Sequence, residues 1–173
     1  MLNEKIAKLI NEQINKELFS AYLYLEFANI CEELGLDGFA NWYNIQAQEE
    51  RDHAMIFRNY LIDNGIRVVF QGLENPSKDL NNIKDILAAG LEHEKFITAS
   101  IETIYGEAFS IRDFKTMQFL DWFTKEQIEE EKNASDLIQK YELFGSDNKG
   151  LYMLNQELAG RTYTQTAMLA NRD

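Results

Sequence analysis

The sequence predicts an all-α fold: an antiparallel four-helix bundle with one long crossover and a short fifth helix near the C-terminus. Three observations carry this. Apolar residues recur with a period near 3.6 in four separate stretches of about 25–30 residues each. The one proline, Pro76, lies outside all four. The only long aperiodic stretch, residues 66–81, falls between the second and the third.

The first stretch carries Ile6, Leu9, Ile10, Ile14, Leu18, Ala21, Leu25 and Ala28, and Gly35 follows it as a left-handed stop. Asp37 is the expected N-cap of the second. That stretch holds Phe39, Tyr43, Ala47, Ala54, Phe57 and Leu61 and ends at Asn64-Gly65. Ile66-Arg67-Val68-Val69-Phe70 reads as extended backbone. The third follows Asn82, with Ile83, Leu87, Leu91, Ile97, Ile101, Ile104 and Ala108 in step. The fourth runs from about Asp113 through Leu120, Phe123, Ala134, Leu137, Ile138 and Tyr141 towards Gly145. At about 1.5 Å per residue each helix is roughly 40–45 Å long. Short links around Gly35 and Ser110 force antiparallel neighbours, whereas residues 66–81 can cross the bundle from end to end. Leu151, Leu154 and Leu158 predict a short fifth helix after Gly150, and from Gly160 the chain turns polar.

Composition narrows the function classes. Hydrophobic residues make up 45% and charged residues 27%, which suits a packed domain and not a disordered chain. No apolar run approaches the roughly 20 residues that span a bilayer, so no membrane partner is expected. Met1-Leu2-Asn3-Glu4-Lys5 opens directly into an amphipathic pattern, and the expectation is a cytoplasmic protein. One cysteine, Cys31, excludes a disulfide framework and any four-cysteine iron or zinc module. A formal charge of −12 argues against nucleic acid and favours cations as partners.

The informative residues break the apolar stripes. At about 100° per residue, Glu17 falls among Ile10, Ile14, Ala21, Tyr24 and Ala28. Glu50 falls between Tyr43, Ala47, Phe57 and Leu61, with His53 one turn along the same face. Glu94 is in line with Ile83, Leu87 and Ile101, and Gln127 and Glu130 sit among Leu120, Phe123, Ala134 and Ile138. Every long helix therefore points a carboxylate at the bundle axis. An unpaired buried carboxylate costs several kcal/mol, and four facing one another also repel. A cation must compensate, and carboxylates with one imidazole suit iron or manganese. Glu17 to Glu50 and Glu94 to Gln127 are both 33 residues, so the two helix pairs offer these groups at equivalent depths. Glu50-Arg51-Asp52-His53 sets a carboxylate and an imidazole one turn apart. With one Glu from each of two other helices, this is the di-iron carboxylate constellation. Two irons sharing a bridging carboxylate, most simply Glu50, can deliver two electrons to dioxygen.

These residues resemble the non-haem ferritins of bacteria and archaea over about residues 2–160. The likeness is sharpest in Asn11-Glu12-Gln13 through Glu17 with Tyr22-Leu23-Tyr24, and in Gln48-Glu49-Glu50 with His53. It continues in Glu92-His93-Glu94, in Phe119-Leu120-Asp121-Trp122, and in Glu126-Gln127-Ile128-Glu129-Glu130-Glu131. The resemblance implies one ferritin-like di-iron domain over residues 1–160 and a polar tail over 161–173. It implies that Glu17, Glu50 and His53 bind one iron of a ferroxidase centre. Glu50, Glu94 and Glu130 would serve the second, with Gln127 replacing the glutamate of a second Glu-x-x-His. Tyr24 is either an electron donor beside the centre or a core tyrosine. Glu49, Glu126 and Glu129, with Glu130, match a third iron site or else form an acidic solvated face. The activity implied is oxidation of Fe(II) to Fe(III) by dioxygen or hydrogen peroxide. Storage would follow as a ferric oxo-hydroxide mineral inside a cage of 24 subunits. His93 and Trp122 rotate away from the site, and both read as non-ligands. Bacterioferritin is the nearest alternative, but Arg51 occupies the place of its haem-ligating methionine, so no haem is expected. A rubrerythrin-like peroxidase carries an added four-cysteine iron module, which one cysteine cannot make. A purely structural helical bundle explains the helices but not the axial carboxylates.

Overall fold

Asn3 starts the first helix, its Oδ1 accepting from Lys5 N at 2.9 Å and Ile6 N at 3.4 Å. In the computed structural model, which describes residues 2–77 and 79–170, α1 then runs over Glu4–Glu33. It is followed by α2 over Asp37–Asp63, α3 over Ile83–Ser110, α4 over Phe114–Phe144 and α5 over Asn148–Ala159. A one-turn α6 spans Ala167–Ala170 in the polar tail. Lys78 and the tail's last three residues lie outside the described residues. No strand forms among the described residues, and no helix is long and apolar enough to cross a membrane.

The first three helices each end in a tight reversal. Gly35 and Gly65 both adopt φ 72°, the left-handed conformation that a side chain resists. At α1, Gly35 N donates to Glu32 O and Leu36 N to Cys31 O, and Gly65 and Ile66 repeat the pattern at α2. Arg112 does the same after α3, at φ 58° with a side chain in place.

Two boundaries differ from expectation. Asp37 is the first residue of α2 and not its cap: Leu36 holds the capping position and offers no side-chain oxygen. The acceptor comes from α5 instead. Asn155 Oδ1 accepts from Gly38 N at 2.9 Å and Phe39 N at 3.2 Å. The approach is so close that a Cβ on Gly38 would lie 1.7 Å from the carbonyl oxygen of Asn155. The fifth helix also begins at Asn148, ahead of Gly150, because Asp147 Oδ1 caps it through Lys149 N and Gly150 N.

Near its start the crossover borrows hydrogen bonds from α1. Asn11 donates to Val69 O and accepts from Val69 N, both at 2.8 Å, and Asn15 accepts from Gln71 N at 2.8 Å. Side chains thus take the place of a neighbouring strand, so the extended stretch stays single.

The apolar core is divided in two. One half gathers Ile6, Ile10, Ile14, Phe57, Leu61, Ile97, Ile101 and Phe123, with Phe57 and Phe123 stacked at 3.9 Å. The other gathers Leu23, Phe27, Phe39, Tyr43, Ile86, Leu87 and Leu137, and α5 adds Leu154 and Leu158. Along each helix the polar residues fall between the two halves, and the site lies there.

Candidate metal centre

Glu17 of α1 is fully buried, and a chain of donors fixes one of its oxygens. Lys16 Nζ donates to Ser100 Oγ, which donates to Gln13 Oε1 at 2.6 Å. Gln13 Nε2 in turn donates to Glu17 Oε1 at 2.9 Å. The other oxygen, Oε2, is buried with no hydrogen-bond partner. On α2, one turn of helix brings His53 Nδ1 to 3.4 Å from Glu50 Oε2. Ligand atoms of Glu17, Glu50 and His53 all lie within 4.8 Å of one another, close enough to hold one ion. His53 Nε2 faces the other way, 3.8 Å from Glu126 Oε1. His53, Glu126 and Glu130 form a second such group. The rings of Trp122 and Phe123, both in T-shaped contact, wall the imidazole at 5.6 and 5.9 Å between ring centres.

The α3 and α4 residues are held by neutral donors. Tyr24 Oη donates to Glu94 Oε1, and Gln127 Nε2 donates to Glu94 Oε2 at 3.2 Å. Gln46 Nε2 donates to Glu130 Oε2 at 2.8 Å, leaving Gln46 Oε1 buried and unpartnered. A cavity of about 20 Å³, room for roughly one water-sized molecule, lies beside Tyr24, Gln46, Glu94 and Glu130.

The electrostatics match a site short of positive charge. Burial raises Glu17, Glu50 and Glu94 above the ordinary carboxylate value, and at Glu50 the charge of Glu94 adds to it. Glu130 is pushed up to about 7 by burial and then by Glu94. Burial works against a charged His53, but the carboxylates of Glu50, Glu126 and Glu17 around it outweigh it, holding the imidazole well above 6.5. The Tyr24 phenol is held well above 10, first by burial and then by Glu94, so it stays a neutral donor. No lysine or arginine among the described residues is buried.

Glu17, Tyr24, Glu50, His53, Glu94, Gln127 and Glu130 thus converge in one buried layer. The three outer glutamates differ from one another. Glu126 is half-buried against His53, Glu129 is exposed, and Glu49 is taken by Arg161 Nη2 at 2.6 Å. Burial pushes Glu49 up to about 7 even though Arg161 opposes it. His93 turns from the layer to Ser20 Oγ at 2.8 Å, among Phe19, Tyr24 and Phe96. Sequence reasoning missed Gln13, Gln46 and Arg161, and it set Trp122 aside as a non-ligand. The signal for the two glutamines is their position: Gln13 is one turn before Glu17, and Gln46 one turn before Glu50, each on the buried stripe. Trp122 rotates off the α4 stripe, yet its ring makes a T-shaped contact with His53.

The chain matches the ferritin-like domain of the Ferritin family over residues 7–144. It is 37% identical over 156 residues to a bacterial non-heme ferritin of Campylobacter jejuni, covering 90% of this chain and 93% of that one. It is 35% identical over 158 residues to a probable bacterial non-heme ferritin-like protein of Haemophilus influenzae, covering 91% and 96%. Among solved structures it superposes on the open-pore ferritin of the archaeon Archaeoglobus fulgidus with a TM-score of 0.91 at 37% identity, covering 94% of this chain and all of that one. A form of the same archaeal ferritin engineered to be closed gives 0.92 at 37%, covering 95% and 100%. With a four-helix bundle, a buried layer of inward carboxylates and a family match across most of its length, the chain belongs to the ferritins.

Proposed function

We propose that the protein is an iron-storage ferroxidase. Fe(II) is the substrate: Glu17, Glu50 and His53 take one ion, and Glu50, Glu94 and Glu130 take the second, with Glu50 bridging. Gln127, a neutral ligand in place of a carboxylate, holds the second ion less tightly, which suits a centre that must release Fe(III). Each ion gives up one electron. Dioxygen accepts the pair with two protons and leaves as hydrogen peroxide, which can itself oxidise two further Fe(II). The Fe(III) then hydrolyses and is stored as an oxo-hydroxide mineral. Glu126, Glu129 and Glu49, with Glu130, provide a third and weaker iron position. Tyr24 orients Glu94, and its phenol lies within reach of an electron-transfer role.

The observation that carries this reading is the buried layer itself: four glutamates from four helices, an unpartnered Glu17 oxygen, and no buried lysine or arginine among the described residues. Such an arrangement is unfavourable empty and favourable with divalent cations. The cage of 24 subunits is part of the same proposal. Support comes from apolar side chains that a lone chain leaves in water: Leu143 and Phe144 at the end of α4, and Tyr152 and Met153 on α5, are 54–72% exposed. Arg51, exposed on α2, leaves no axial methionine at that position, and the cage is proposed to be haem-free and cytoplasmic.

Stopped-flow absorbance after mixing the intact assembly with Fe(II) in air tests the activity. The expected result is a fast phase consuming two Fe(II) per subunit, followed by slower mineral growth. Oxidation no faster than in buffer alone would overturn the reading.

A further inference from the structure

The polar tail is fastened to α2 beside the proposed iron positions. Asn41 Nδ2 donates to Leu158 O at 3.1 Å and to Arg161 O at 3.0 Å. The Arg161 guanidinium lies 4.0 Å over the Trp42 ring, and its Nη1 reaches Trp42 O at 3.4 Å. Two residues on, Tyr163 Oη donates to Asp52 Oδ2 at 2.6 Å. Between these anchors Arg161 Nη2 meets Glu49 Oε2 at 2.6 Å. A guanidinium stacked on an indole and tied on both flanks has lost most of its freedom before it meets a carboxylate, so the pair costs little more ordering to form. Among the described residues, Glu49 is the one glutamate of the proposed third position that an arginine holds.

We infer that Arg161 is the resident counter-cation of Glu49, and that iron must displace it to bind the third position fully. Arg161 would thus be a positioning residue that sets the affinity of that position. This rests on the ferroxidase reading above. With Arg161 in place, the charge of Glu49 is neutralised. A third Fe(II) then finds Glu126, Glu129 and Glu130 alone or must break the ion pair. The tail works as an internal competitor, tuning how readily the third position fills after the first two.

Anaerobic calorimetric titration of the intact assembly with Fe(II) resolves successive equivalents per subunit and does not depend on oxidation. The expected result for Arg161→Gln is tighter binding of the third equivalent by roughly 3- to 10-fold, the scale of a charge-assisted pair. Arg161→Lys should fall between it and the parent, because an ammonium can neither fork nor stack. Tyr163→Phe, which cuts one anchor and keeps the cation, should shift the third equivalent in the same direction by less. Glu49→Gln should weaken the third equivalent and abolish the effect of Arg161→Gln. An unchanged third equivalent in both Arg161→Gln and Tyr163→Phe would overturn the inference while leaving the two-iron reading standing. Absence of the first two equivalents in the parent protein would bring down both.

Discussion

Glu50 faces His53 on one side and the charge of Glu94 on the other, and its removal is the most diagnostic single change in the site. Glu50→Ala and His53→Ala are each expected to abolish the fast phase of Fe(II) oxidation in stopped flow while light scattering still reports the large assembly. The metal-free Glu50→Ala protein should melt at a higher temperature than the metal-free parent, because one member of a repelling buried set is gone. Acidity gives a second test. Burial and then the charge of Glu94 push Glu130 up to about 7 from an ordinary 4.5, and His53 is also raised. A raised folded-state value means stability that is full below the ordinary value and is lost as pH rises through the folded one. The metal-free protein should therefore lose stability between about pH 4.5 and 7 through Glu130, and Glu130→Gln should flatten that part of the melting-temperature profile. The burial of the four glutamates is legible in the sequence because each keeps step with an apolar stripe. Gln13 and Gln46 keep the same step, but a neutral amide on such a stripe raises no question of charge. Arg161 has no period to place it, since the tail is not helical there; only the fold shows its partner.

The helix ends obey local rules where the capping residue is local. Asn3, Asn82, Asp113 and Asp147 all cap the helix that follows them, and the glycine stops after α1 and α2 stand where the sequence puts them. The start of α2 escapes such reading because its acceptor, Asn155, is 117 residues away. Asn155→Ala strips two buried N–H groups of their acceptor and should lower stability by about 2 kcal/mol in thermal melts of the metal-free protein. Gly38→Ala should be worse, since the clash is with backbone and α5 must lift away. The opposite sign is expected at Arg112, whose left-handed φ of 58° strains a side-chain-bearing residue. Arg112→Gly should stabilise by roughly 0.5–1 kcal/mol. The single, unpaired character of residues 66–70 was likewise hidden, because it depends on Asn11 and Asn15 of another element.

Taken whole, the molecule leaves one group of apolar side chains uncovered at the α4–α5 corner, where Leu143, Phe144, Tyr152 and Met153 lie. Placing a charge in that corner, as in Tyr152→Glu with Met153→Glu, should shift the assembly towards small species in light scattering, with the helical circular-dichroism signal retained. The fold also has an order in time. Gly38 and Phe39 leave the ribosome long before Asn155 does. At about 5–20 residues per second, the 117 intervening residues take roughly 6–23 s to synthesise. For all of that interval the nascent α1–α2 hairpin has two donors left to water and a face without α5 laid across it. Completion of the hairpin is thus deferred until Asn155 has been made, and a chain cut short before Asn155 carries an uncapped second helix however long it waits.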